Sequence, residues 1–146
     1  MFVEKVVIYI TQGNKLLVFR HTNYPQAGIQ VPAGTVGTNE DLIEATIREA
    51  SEETGLAVGK LEFRSKLGTD VFQFDDVDGS PPVRRHFYHL EFVGIARQRW
   101  IHYEEDPSDG TSAPIEFELY WVKIPDEIPE LSGRLGVMLN RLHPAR

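Results

Sequence analysis

The sequence predicts a mixed α+β domain, a sheet with a helix on each face, from three observations. Runs at 3–10, 15–20, 61–74, 83–95 and 115–124 concentrate or alternate β-branched and aromatic residues. Segments 39–54 and 131–142 carry apolar residues at helical spacing, well separated along the chain. No repeat, low-complexity run or linker divides the 146 residues, so 1–146 reads as one domain.

The elements follow in order. VEKVVIYI (3–10) and KLLVFR (15–20) flank the turn residues Thr11-Gln12-Gly13-Asn14, so a hairpin opens the fold. A polar loop with Pro25 and Gly28 leads through Ile29-Gln30-Val31 to Pro32, and glycines at 34 and 37 bar regular structure there. For the helix at 39–54, Thr38 followed by Asp41 resembles a capping box with Asp in place of Glu, and Gly55 stands where a C-terminal glycine belongs. Strands 61–74 and 83–95 pair as a long hairpin across the turn-rich segment 75–82. A strand at 115–124 follows the loop 106–110, and 131–142 keeps helical spacing despite Gly133 and Gly136.

Composition narrows the chemistry. Hydrophobic residues at 41% and charged residues at 25% are ordinary for a globular chain. Fifteen Lys and Arg against 22 Asp and Glu give a net charge of −7, which disfavours non-specific attraction to nucleic acid or anionic lipid. With no Cys, disulfides, thiolate zinc sites, iron–sulfur clusters and a cysteine nucleophile are excluded. No run approaches the ~18 apolar residues of a membrane-spanning helix, and MFVEKVVIYI lacks the features of a signal peptide, so a cytoplasmic location without membrane association is expected.

The acidity is local. Residues 34–56 hold six acids and one base, and therefore −5 of the −7. At 100° per residue, with Glu49 at zero, Ile43, Ile47, Ala50 and Thr54 fall between roughly 100° and 160°, while Glu49, Glu52 and Glu53 fall between roughly −60° and +40°. Three carboxylates thus share a face turned away from the apolar stripe. Like charges at i,i+3 and i,i+4, placed toward the negative end of the helix dipole, oppose helix stability. That arrangement points to a hard divalent cation, Mg²⁺ first. Arg48, one turn before Glu52, can hold its carboxylate in one rotamer. The plainer alternative is a solvated acidic helix face.

The surrounding residues decide between them. GTVGTNEDLIEATIREASEETGL (34–56) resembles the Nudix box, G-x5-E-x7-R-E-U-x-E-E-x-G-U with U aliphatic: Gly34, Glu40, Arg48, Glu49, Glu52, Glu53, Gly55 and Leu56 fall in register, and Ala50 is small for its position. The resemblance implies a Nudix hydrolase, an α/β/α sandwich in which a metal-activated water cleaves a pyrophosphate linkage in a nucleoside diphosphate joined to another moiety. It implies Mg²⁺ or Mn²⁺ as cofactor, with Glu52 and Glu53 as main ligands, Glu49 as ligand or base, and the Gly34 carbonyl reaching the metal. Arg48 and Glu40 would brace the helix and loop. A catalytically silent nucleotide-sensing or interaction module on the same fold is the alternative, and the intact Glu49, Glu52 and Glu53 argue against it.

Outside the box, Glu116 and Glu118 share a strand face, with Glu104, Glu105, Asp106 and Asp109 just before them. Glu118 is taken as the additional catalytic carboxylate. Arg84 and Arg85 point to opposite faces of their strand, and one could clamp a substrate phosphate. His86 and His89 also face opposite ways, which speaks against a shared zinc site. Val31-Pro32-Ala33-Gly34 is similar to the segment before the box helix in ADP-ribose-cleaving relatives, but the later proline they typically carry is absent, position 71 being Val. The expected partner is a small nucleotide, with nucleic acid disfavoured apart from a capped RNA end; a homodimer is left open.

Overall fold

The computed structural model describes residues 1–73, 79–104 and 114–143; residues 75–78 of the turn expected over 75–82, and Glu105, Asp106 and Asp109, lie outside the described residues. Its elements are β1 Val3–Gln12, β2 Lys15–His21, β3 Ile29–Gln30, β4 Ala33–Thr35, α1 Leu42–Thr54, β5 Leu61–Phe72, β6 Val83–Phe92, β7 Arg99–Glu104 and β8 Ile115–Lys123. The strands form a mixed sheet in the order β5-β6-β1-β2-β8-β7. β1 and β6 run parallel from Val3↔Val83 to Thr11↔Glu91, and the other pairs are antiparallel.

The opening hairpin splits, and that split positions the site. β1 and β2 pair only near their turn, at Thr11↔Leu16 and Gln12↔Lys15. Beyond it β4 takes β1, placing Gly34 opposite Val6, and β3 takes β2, placing Gln30 opposite Phe19. The segment leading into α1 therefore fills a gap inside the sheet.

Alternation along the strands makes two cores. Val6, Ile8, Ile10, Leu17, Phe19, Tyr88, Leu90, Phe117 and Leu119 face α1 with Ala45 and Ala50. Val7, Tyr9, Leu16, Val18, Phe87 and Val122 face the other way, toward Leu131, Met138 and Leu142. Each fully buried aliphatic side chain contributes roughly 2 kcal/mol through apolar surface removed from water.

The second face is not covered by the α-helix expected at 131–142. The chain there makes two 3-10 turns, Ser132–Arg134 and Leu139–Arg141. Gly133 and Arg134 have φ of 60° and 57°, which breaks a right-handed helix. The sheet and this segment also engage each other directly: Tyr9 Oη donates to the Leu135 carbonyl (2.6 Å) and accepts from the Met138 N–H (3.2 Å), and Arg141 Nη1 of the segment donates to the Leu67 carbonyl of β5 (2.9 Å). The apolar spacing read as helical is that of a strap laid across the sheet.

The start of α1 also differs from expectation. Asp41, not Thr38, caps it, its carboxylate accepting from the N–H groups of Ile43 and Glu44, and Asn39 has φ 62°. Gly55 ends the helix in the left-handed conformation, its N–H donating to the Ser51 carbonyl. β7, which the sequence reading leaves unassigned, forms the sheet edge beside β8. No helix among the described residues is long and apolar enough to cross a membrane.

Candidate active site

The carboxylate face of α1 is not turned wholly to solvent. Ala45, Thr46, Glu49, Ala50, Glu53 and Thr54 are the buried helix residues, while Ile43, assigned to the apolar stripe, is exposed. The helix is covered from two directions, by β4 in the split of the sheet and by β7 at its edge. Glu49 and Glu53 fall under that cover; the Glu52 side chain remains 53% exposed.

From the β4 side, the Ala33 N–H donates to Glu53 Oε1 (2.9 Å). Gly34 packs so closely that a Cβ there would lie 2.1 Å from Glu49 Cδ. From the β7 side, Trp100 Nε1 donates to the Thr54 carbonyl (2.8 Å) and His102 Nε2 lies 2.6 Å from the Glu52 carbonyl oxygen. These rings satisfy carbonyls that a helix leaves open at its C-terminus.

Arg48 ties the centre together. Its Nε and Nη2 donate to Glu40 (2.7 and 2.9 Å), Nη1 donates to Glu49 Oε1 (2.9 Å) and Glu52 Oε2 (3.2 Å), and Nη2 donates to the Thr35 carbonyl (3.3 Å). Glu40 in turn accepts from the Gly37 N–H (2.8 Å). The Arg48 fork, with the Gly37 N–H, holds the Glu40 carboxyl down to about 2. One guanidinium fixes the loop to the helix and sets the rotamers of Glu49 and Glu52.

A fourth acid joins them. Trp100 and His102 face α1 from alternate positions of β7, and Glu104 continues that face. It is close enough for its charge to act on Glu53. Burial pushes the Glu53 carboxyl well above the usual range, opposed by the Ala33 N–H and reinforced by the charges of Glu104, Glu49 and Glu52. Burial likewise raises Glu49, against the hydrogen bond from Arg48. Gathering acids where water is partly excluded is unfavourable unless a cation compensates them.

The donor set is carboxylate oxygen with a neighbouring backbone carbonyl, and its chemistry fits a hard divalent cation. As the side chains stand, no three acidic or imidazole groups among the described residues converge on one point to complete a coordination shell. The cation bridging Glu49 and Glu52 is the Arg48 guanidinium.

Three residues expected from sequence lie elsewhere. Glu118 does not reach the centre: Phe117 and Leu119 occupy the α1 side of β8, so Glu118 points to the opposite face. There Arg20 (2.7 Å) and Arg99 (3.2 Å) pair with it and hold its carboxyl below the usual range. Glu116 shares that face, accepting from Thr22 Oγ1 and Tyr103 Oη. Arg85, expected to clamp phosphate, is buried and committed to the protein: Nε and Nη2 donate to Asp70 (2.9 and 2.7 Å), Nη1 to the Gly133 carbonyl (2.7 Å) and Nη2 to the Arg134 carbonyl (3.2 Å). Arg84 lies over the Phe2 ring and 3.4 Å from Glu4, on the face opposite Arg85. The sequence signal for Glu104 was its place at the end of the alternating run Trp100, His102, Glu104, visible only once 99–104 is recognised as a strand.

The chain is also similar to known proteins. A family model described as NUDIX domain matches residues 1–134. The chain is 32% identical over 128 residues to an RNA pyrophosphohydrolase from Caulobacter vibrioides (strain NA1000 / CB15N), covering 86% of this chain and 73% of that protein. Among solved structures, a MutT NUDIX hydrolase from Burkholderia pseudomallei superposes with a TM-score of 0.65 at 19% identity, covering 98% of this chain and 99% of that one. A UDP-X diphosphatase also gives 0.65 at 16% identity, covering 97% of this chain; this chain spans 61% of that one.

Proposed function

As the chain belongs to the NUDIX domain family and is a pyrophosphohydrolase, we propose that it hydrolyses, with a divalent metal ion, the pyrophosphate linkage of a nucleoside diphosphate joined to another moiety. The 5′ end of an RNA is the first form of that moiety to test, because of the Caulobacter relative's activity. One observation carries the reading: Glu49 and Glu53 are buried beside Glu52 and Glu104, a concentration of negative charge that a cation and a phosphate chain would complete.

Glu49, Glu52 and Glu53, with the Gly34 carbonyl, would hold Mg²⁺ or Mn²⁺. Such an ion supplies neutralisation of phosphate charge and acidification of water. The protein supplies position. The Ala33 N–H fixes Glu53, Arg48 and the closely packed Gly34 fix Glu49, and β7 carries Glu104 to the same place. In the reaction a water oxygen forms a bond to one phosphorus, the bridging P–O bond breaks, and its electron pair leaves with the departing phosphate. Glu104 is the carboxylate assigned to take the proton of the attacking water. Fixing the reactants in line is the main catalytic contribution available in phosphoryl transfer.

The test is a panel containing 5′-triphosphorylated RNA, a nucleotide sugar, ADP-ribose, a dinucleoside polyphosphate and a nucleoside triphosphate, with Mg²⁺ or Mn²⁺, read by chromatographic separation of the phosphate-bearing products. Turnover is expected with one or more members, lost in EDTA and in the Glu52→Gln, Glu53→Gln double variant. Metal-dependent hydrolysis surviving in that variant overturns the assignment.

A further inference from the structure

We infer that Lys5 binds a substrate phosphate on the side of the scissile linkage that faces the sheet cavity, and so sets the preference for nucleotides over nucleosides there. The inference rests on the reading above, in which the pyrophosphate lies at Glu49, Glu53 and Glu104. On β1, Lys5 is the direct partner of Thr35 in β4 and of Arg85 in β6. It therefore stands one position along from the Val6↔Gly34 pair, and Gly34 is the residue pressed against Glu49. With Val7 and Tyr9, it belongs to the face opposite α1.

A cavity of about 290 Å³ opens on that face, bounded by Lys5, Gln30, Ala33, Phe72 and Arg85. It shares Phe72, Ser132 and Gly133 with a larger cleft of about 730 Å³. Ala33, in the cavity wall, is also the residue whose N–H holds Glu53. The cavity and the carboxylate centre thus lie on either side of one short backbone segment, in the split between β1 and β2. A substrate that reaches round that segment from the carboxylates into the cavity would bring a phosphate to Lys5.

Among the described residues, Lys5 and Arg85 are the cations that line that cavity, and Lys5 alone of the two is uncommitted. The Arg85 charge is compensated by Asp70, and its remaining donors hold the strap at Gly133 and Arg134. The Lys5 ammonium has no ion-pair or hydrogen-bond partner among the described residues. A compact ammonium with three donors is suited to a phosphate oxygen rather than to a planar carboxylate fork. Arg84 and Arg85 are the candidates for this role by sequence; pairing across the sheet transfers it to the neighbour of Arg85.

The experiment reads binding without turnover. AMP, GMP, CMP and UMP, and the four matching nucleosides, are titrated into the parent protein in EDTA and into Lys5→Met, Lys5→Gln and Lys5→Arg. The parent is expected to prefer nucleotide over nucleoside; Lys5→Met and Lys5→Gln should lose about tenfold in nucleotide affinity while nucleoside affinity stays within about twofold, and Lys5→Arg should recover most of the loss. Thermal unfolding of the variants should match the parent, since no group among the described residues pairs with the Lys5 ammonium. A preference that survives in Lys5→Met and Lys5→Gln, or a parent with none, overturns the inference. Failure of the hydrolase reading looks different: no member of the substrate panel is turned over, although nucleotides bind.

Discussion

Gly34 and Glu49 are packed in contact: a single carbon added to Gly34 would lie 2.1 Å from the Glu49 carboxyl carbon and 2.2 and 2.4 Å from its two oxygens. The obstacle is the far end of a side chain, not backbone, so the protein can yield by moving the carboxylate. Gly34→Ala should therefore lower kcat by about a hundredfold through misplacement of one group, while costing only about 1 kcal/mol of stability, in the ordinary range for a point substitution. Steady-state kinetics and chemical denaturation on the same preparation check this. Near-parent kcat would mean that the position of Glu49 does not matter.

Glu104 and Glu118 lie on opposite sides of the sheet, which makes them separable by mutation. Glu104→Gln should reduce kcat by about a hundredfold, the lower end of what a positioned acid or base supplies. Glu118→Gln removes partners from two Arg side chains that are themselves substantially exposed, and should leave kcat within about twofold. The reverse result would place the second carboxylate on the wrong face here.

The Arg85–Asp70 pair is a structural fork. The Arg85 side chain is only 6% exposed and also holds two strap carbonyls. Arg85→Ala should cost about 3 kcal/mol by leaving those groups uncompensated, and Arg85→Lys should not restore it, because one ammonium cannot reproduce a planar fork on Asp70 while reaching Gly133 and Arg134. Equilibrium urea unfolding gives both values. A Lys variant as stable as the parent would refute the fork.

His89 predicts a loss of stability on acidification. Its Nε2 is 2.7 Å from Thr11 Oγ1 and the ring is buried, and burial, the largest cause, lowers its pKa from 6.5, with the Glu91 charge opposing and the Arg64 charge adding. The unfolded chain therefore takes up the proton first. This contribution is fully present above pH 6.5 and is lost as pH falls through the folded-state value. The difference in unfolding free energy between the parent and His89→Gln, measured at pH 7.5 and pH 5.5, should shift against the parent at the lower pH. A difference independent of pH would show that His89 is not the responsible group.

What the sequence determined by itself was local. Gly34, Glu40, Arg48, Glu49, Glu52, Glu53 and Gly55 identify the box because their spacing is set within one loop and one helix. The hairpin strands were readable from β-branched and aromatic runs, and the helix end from Gly55, because turn and cap chemistry depends on nearest neighbours. What the tertiary structure decided was everything that depends on what lies opposite. The wheel placed three acids on an outer face, yet β4 and β7 cover that face and bury two of them. The apolar spacing of 131–142 fits a helix, but Tyr9, Arg85 and a left-handed pair at Gly133 and Arg134 fasten it as a strap. Parity along β8 sends Glu118 away from the centre, and parity along β7 brings Glu104 to it. A side chain's type is written in the sequence, but which neighbour neutralises, buries or releases its charge is fixed only when strands distant in the chain come into register, as Lys5 and Arg85 do.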